Sequence, residues 1–224
     1  MFLKKGSLMK NKYVVLMAGG ILTATFVVAA FIYNNNVYNE LAEKALDNAS
    51  LLVRDYSPTI GNAEAKVTIV EFFDPACETC KAFHPFVKNL MDSNPGKIKL
   101  VMRYLPLHQG SDYVVKILES AKMQGKFWET LNATYAAQPV WAAHGDPQPE
   151  RLWMRIGKVG LNIAQVKEDM ANSIIIERVQ QDLEDAKNLQ VSKTPGFFVN
   201  GKPLVKFGYK QLQELVESEI RRNY

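Results

Sequence analysis

The chain has 224 residues, enough for one sizeable core plus a membrane segment, and its 47% hydrophobic and 22% charged content excludes a disordered chain. The formal charge of +4 is carried by Lys4, Lys5, Lys10 and Lys12, ahead of any acidic residue, and the remaining basic and acidic residues cancel. A main body of zero net charge has no electrostatic footprint for nucleic acid, so that class of partner is set aside.

Residues 1–12 are a basic N-terminus expected to stay in the cytoplasm. From Tyr13 to Tyr33 no residue is charged, and a run of that length is enough to cross the hydrocarbon core as a helix. Residues 13–33 are therefore expected to be a single-pass transmembrane anchor, with the rest of the chain on the extracytoplasmic, periplasmic side. The competing reading is a cleaved signal peptide, for which Val28-Ala29-Ala30 supplies a small-residue site. The apolar run is long for a signal peptide and continues past Ala30, which favours the uncleaved anchor; either reading exports the domain.

Residues 34–60 read as a connector or stalk. Asn34-Asn35-Asn36 is a polar break, and Val37 to Arg54 carries Leu41, Ala45, Ala49 and Leu52 at helical spacing without a heptad. This segment is the one candidate for an oligomerisation element. Ser57 to Asn62 reads as a turn into the main domain, residues 61–224.

Lys66 to Phe73 is a dense β-branched and aromatic run, expected to be a buried strand. Cys77 to Met91 reads as a helix interrupted or kinked at Pro85, and Ile98 to Leu105 as a second strand. Strand–helix–strand is the unit of parallel sheets. The next stretch, about 110–190, is far too long for a connection and predicts an inserted helical subdomain. In it Val114, Leu118 and Ala121 share one face, Trp128, Leu131 and Tyr135 another, Ala137 to Pro149 is a loop, and one long helix carries Ile163, Val166, Met170, Ile174 and Leu183. Gly196 to Val199 and Pro203 to Phe207 then read as strands around the hairpin signal Asn200-Gly201. Leu212, Leu215, Val216 and Ile220 mark a closing amphipathic helix.

Only two cysteines are present, Cys77 and Cys80, two residues apart. A bridge between them closes too small a loop to stabilise the chain much, so a reactive role explains the pair better. At the start of a helix, free backbone N–H groups and the helix dipole stabilise a Cys77 thiolate. Cys80, one turn deeper, resolves the mixed disulfide. Glu71 on the buried strand is expected to have its pKa raised by desolvation and to relay protons to the buried sulfur. Thr194-Pro195 directly precedes a strand; a cis proline there would leave the preceding backbone free to pair with an extended peptide, whereas a trans proline would simply start an edge strand. Metal binding is the rival chemistry, with Cys77, Cys80 and His84 on one helix face for copper or zinc and His108 or His144 brought from distant loops. Lys81 stands where a haem-attachment motif needs histidine. The triplets beginning at Asn48 and Asn132 match glycosylation acceptors but are common by chance.

Cys77-Glu78-Thr79-Cys80-Lys81 with Pro85 five residues on resembles the thioredoxin active-site helix. Val67 to Phe73, six residues from Glu71 to Cys77, and Val191 to Gly201 resemble the DsbA family, as does a helical insert between the second strand and the proline. The resemblance covers about residues 57–224. It implies an α/β thioredoxin fold with an inserted helical subdomain behind an N-terminal transmembrane helix. It further implies Cys77 as nucleophile, Cys80 as resolving thiol, Glu71 as buried acid, and Thr194 and Pro195 at the substrate. The implied activity is protein thiol–disulfide exchange, oxidase-like, with protein thiols or disulfides as substrates and a membrane redox partner, and without a cofactor. A reductase or isomerase of the same fold is the alternative. Glu78-Thr79 departs from strongly oxidising relatives, which have a histidine between the cysteines. With Glu78 and Asp74 near the thiolate, a weaker oxidant than the DsbA value of about −120 mV is expected, nearer about −200 mV.

Overall fold

The computed structural model describes residues 6–47, 49–143 and 147–224. Lys4, Lys5, Asn48 and His144 lie outside the described residues, as do the side chains of Lys10, Lys12, Leu41, Ala45 and Ala49.

The first helix, α1 (Gly6–Asp47), contains Tyr13–Val37, long and apolar enough to cross a membrane by length and composition, with none of that span buried against the protein. Asn34-Asn35-Asn36 does not break it. Asparagine costs a helix only a few tenths of a kcal/mol per residue relative to better formers, and no glycine or proline stands there to stop the ladder. A short α2 (Ala49–Leu52) leads into the sheet.

Five strands, β1 (Thr59–Gly61), β2 (Val67–Phe73), β3 (Ile98–Tyr104), β4 (Gly196–Val199) and β5 (Lys202–Pro203), form one mixed sheet in the order β1-β3-β2-β4-β5. Strands β2 and β3 are parallel and the other pairs antiparallel. The expected turn at 57–62 is in part the edge strand β1, where Gly61 takes φ +111 and a Cβ would stand 2.5 Å from the Ile98 carbonyl oxygen. The expected second hairpin strand shrinks to two residues. Asn200 and Gly201 both adopt positive φ, as the tight hairpin requires, and the chain leaves the sheet after Pro203.

Between β2 and β3 runs α3 (Glu78–Asp92), which continues through Pro85 without a break. Pro85 lies on the exposed side, where the carbonyl that loses its helical donor can meet water. The insertion is α4 (Ser111–Met123), α5 (Phe127–Trp141), a chain of short turns around α6 (Trp153–Ile156), then α7 (Ile163–Asp169) and α8 (Ser173–Asn188). The expected loop from Ala137 starts later, because α5 carries Pro139 and ends at Trp141. The single long helix is two, since the Asn172 side chain caps α8 by accepting from the Ile174 N–H at 3.0 Å. Finally α9 (Tyr209–Asn223) buries Leu212 and Val216 completely.

Each sheet face has its own core. One joins Val67, Ile69 and Phe73 to α3, α4, α5 and α9; the other joins Val70, Phe72, Val101 and Phe198 to Leu52 and α8. The second core holds a fully buried Arg103, which donates to Asp182 at 2.7 Å and Asp185 at 2.6 Å. Arg54 also bonds Asp185, and the Tyr56 hydroxyl donates to Asp182, so the segment leaving α2 is tied into the same network.

Candidate active site

Strand β2 ends at Phe73, and the loop Asp74-Pro75-Ala76 delivers Cys77 to the N-cap of α3. Asp74 shapes this loop. Its buried carboxylate accepts from the backbone N–H groups of Ala76, Leu107 and His108, from the Ser111 hydroxyl at 2.5 Å, and lies 2.7 Å from His108 Nδ1. That carboxylate is thus occupied in the loop at 107–111, which ties the cysteine loop to the start of the insertion. Gln138 of α5 adds a bond to the Pro75 carbonyl at 3.0 Å.

The Cys77 Sγ accepts the Cys80 backbone N–H at 3.5 Å, and as a thiol donates to the Thr194 carbonyl at 3.4 Å. Both cysteines are free thiols; Cys77 keeps a small accessible surface and Cys80 none. A hydrogen bond from the Cys80 thiol holds the Cys77 pKa down at about 5; burial opposes this, while the Cys80 and Thr79 backbone and the Thr194 side chain reinforce it. Burial pushes the Cys80 thiol well above its ordinary value, and its hydrogen bond to Cys77 adds to the rise. The two sulfurs therefore have opposite tasks: one is ready to be a thiolate and the other holds its proton.

Glu71 pairs in register with Met102 on β3 and Phe197 on β4. It is fully buried, neither carboxyl oxygen has a hydrogen-bond partner, and desolvation followed by the charge of Cys77 lifts its pKa to about 8. Sequence reasoning missed the role of one group and misread another. The Tyr135 hydroxyl, placed by α5, is buried without a hydrogen-bond partner and feels the charges of Cys80 and Glu71, and Asp74, expected only as a charge near the thiolate, is the hub of the loop. Tyr135 was legible only as one apolar-face residue of a helix, because the residues it meets there, Glu71, Cys80 and His84, all come from far earlier in the chain.

The Thr194–Pro195 bond is cis. Beside it a groove of about 500 Å³ runs from Thr79 along residues 189–198 to Leu204, Val205 and Phe207. Phe207, which lines this groove, and Tyr209 both pack on the buried Phe83 of α3, with ring centroids 4.8 Å and 4.2 Å from its own. The structure thus gathers Glu71, Cys77, Cys80, Thr194 and Pro195 at one place. It does not gather the metal set: His84 bonds Asn132 at 2.7 Å, His108 faces Asp74, and no cluster of three or more His, Cys, Asp or Glu able to hold a metal exists among the described residues.

Residues 54–218 match the family model described as thioredoxin. Na(+)/H(+) antiporter NhaA 1 of Salinispora arenicola is 32% identical over 145 residues, which cover 63% of this chain and 21% of the antiporter. This chain thus spans about a fifth of the length of those curated relatives. Disulfide bond formation protein D of Bacillus subtilis is 24% identical over 181 residues, covering 73% of this chain and 77% of its own. Among solved structures, a thioredoxin-like oxidoreductase from Silicibacter pomeroyi DSS-3 superposes with a TM-score of 0.66 at 29% identity, over 78% of this chain and 98% of that one.

Proposed function

This chain belongs to the thioredoxin family, and on that premise we propose that it is a DsbA-like thiol–disulfide oxidoreductase, anchored by residues 13–33 and oxidising protein thiols on the extracytoplasmic side. The observation that carries the reading is the placement of the Cys77 sulfur on a helix N-cap, accepting the Cys80 backbone N–H at 3.5 Å beside the cis Thr194–Pro195 bond, with a wholly buried Cys80 three residues on.

In the oxidising direction Cys77 and Cys80 start as a disulfide. A substrate thiolate attacks the Cys77 sulfur, a mixed disulfide forms, and the Cys77–Cys80 bond breaks. Cys80 leaves with the electron pair. A thiolate buried so deeply is costly, and the neutral carboxyl of Glu71 is placed to supply its proton. A second substrate thiolate then attacks the substrate's own sulfur, forming the substrate disulfide and releasing Cys77 as a thiolate, stabilised by Cys80, the α3 N-terminus and Thr194. The Thr194 carbonyl beside Pro195 offers an acceptor to an extended substrate backbone. Two electrons now rest on the dithiol, and a disulfide on a membrane redox partner takes them to restore the start.

Thiolate stability sets the direction. Holding the Cys77 thiolate stabilises the reduced form and makes the disulfide more oxidising. A pKa of about 5 lies between the roughly 7 of thioredoxin and 3.5 of DsbA, which brackets the potential between about −270 and −120 mV. Titration of the full chain against glutathione, read by alkylation and mass, tests this: a value above about −200 mV supports the oxidase, and one near −270 mV makes it a reductase. A pair that cannot be cycled at all sinks the oxidoreductase reading.

A further inference from the structure

The apolar edge that closes the groove beside Pro195 is also the edge nearest α1. Pro203, Leu204 and Val205 line the groove on one side. On the other they line a separate cavity of about 370 Å³, whose opposite wall is Phe31, Asn34 and Asn35 of α1. One layer of residues therefore separates the substrate groove from the helix.

Where that helix meets the edge is decided by its chemistry. Roughly 20 residues cross the hydrocarbon core. Counted from Tyr13, that places Phe31 and Tyr33 at the boundary and Asn34 to Asn36 among the headgroups, where aromatic and polar residues are favoured. The facing edge suits the same layer. Val205, Phe207 and Tyr209 are 37%, 50% and 45% exposed; Phe207 and Tyr209 rest one side on Phe83, and the outward sides of all three form one apolar patch at the rim of the groove. Lys206 stands exposed between them, a cation of the kind that meets lipid phosphates.

Resting on the reading of residues 13–33 as a membrane anchor, we propose that the edge Val205–Tyr209 seats in the interfacial layer of the bilayer that holds α1. The groove beside Pro195 then lies against the membrane surface and opens toward cysteines held close to the bilayer. The lipid interface is the occupant because the same chain's apolar helix enters it alongside this edge.

The test uses the full chain in vesicles of phosphatidylcholine and phosphatidylglycerol, with lipids brominated near the headgroup as quenchers. Two variants each add one tryptophan to the parent, Val205→Trp at the edge and Val27→Trp within the anchor. Bromolipid quenching of the added emission in both variants is the expected result. Quenching of the Val27→Trp signal alone overturns the docking and leaves the anchor standing. Quenching of neither sinks the anchor and the docking together.

Discussion

The Sγ of Cys77 sits 3.5 Å from the backbone N–H of Cys80, so the sulfur itself caps the helix that carries its partner. The cap is worth more to a thiolate than to a thiol, because a charged acceptor makes the stronger bond. Alkylation of the reduced protein by iodoacetamide follows the thiolate population and should therefore rise with a midpoint near pH 5. Cys77→Ser should abolish that phase, whereas Cys80→Ser should keep a fast phase and trap mixed disulfides. A midpoint at or above pH 8 in the wild type would show that neither the Cys80 thiol nor the cap stabilises the charge.

Glu71 makes stability depend on pH. Its folded pKa of about 8 lies above the ordinary carboxylate value of 4.5, so the folded state holds the proton more tightly than the unfolded chain. The stability linked to that proton is complete below pH 4.5 and is lost as pH rises toward 8. At pH 7 the loss is on the order of 3 kcal/mol. Glu71→Gln removes the titration, so it should be more stable than wild type at pH 7–8 and close to it at pH 4.5, measured by urea unfolding. It should also slow attack by Cys80 on a mixed disulfide, since the proton acceptor is gone. A variant with the same stability profile as wild type would contradict the burial of this carboxylate as an ionisable group.

Arg103 tests the opposite face of the sheet. Its guanidinium serves Asp182 and Asp185, and both carboxylates are inaccessible. Arg103→Ala leaves the buried Asp182 without its cation and Asp185 with Arg54 alone, and breaking such a buried pair costs about 3–5 kcal/mol. Arg103→Lys should recover only part of this, because an ammonium cannot reproduce the fork that reaches both acids and the Leu51 carbonyl. Denaturant midpoints of the two variants decide it; a loss below about 1 kcal/mol for alanine would mean that the network is not a structural tie.

What was legible in the sequence is what local chemistry dictates. The run Val67 to Phe73 has one outcome in a core, and a cysteine pair at a strand-to-helix junction lies on the N-terminal turn whatever surrounds it. Asn200-Gly201 demanded positive φ at both positions and has it. The illegible parts depend on partners far away in the chain. Arg103 drew no notice within the strand expected at Ile98 to Leu105, because its partner Asp182 lies 79 residues on. Asp74 read as a charge beside the thiolate, because its five donors come mostly from residues 107–111. Weak local signals were read as breaks at Asn34–Asn36 and Pro85, where helix continuity carried the chain through.

Glu78 is where the redox poise of this chain should be adjustable. It is exposed in the first turn of α3, directly after Cys77 in sequence. A carboxylate there takes some of the field of the helix N-terminus and repels the neighbouring sulfur once that is charged. Glu78→His exchanges this repulsion for a ring able to donate to the thiolate, which lowers the Cys77 pKa and stabilises the dithiol relative to the disulfide. Each unit by which the pKa falls raises the potential by about 30 mV for a two-electron couple. The variant should therefore be more oxidising than wild type in the glutathione titration, with its alkylation midpoint shifted to lower pH by a matching amount. Glu78→Gln, which removes the charge without adding a donor, should move both readings the same way by less. If the potential of Glu78→His stays where it was while the midpoint falls, the buried partner Cys80, and not the thiolate of Cys77, governs the poise.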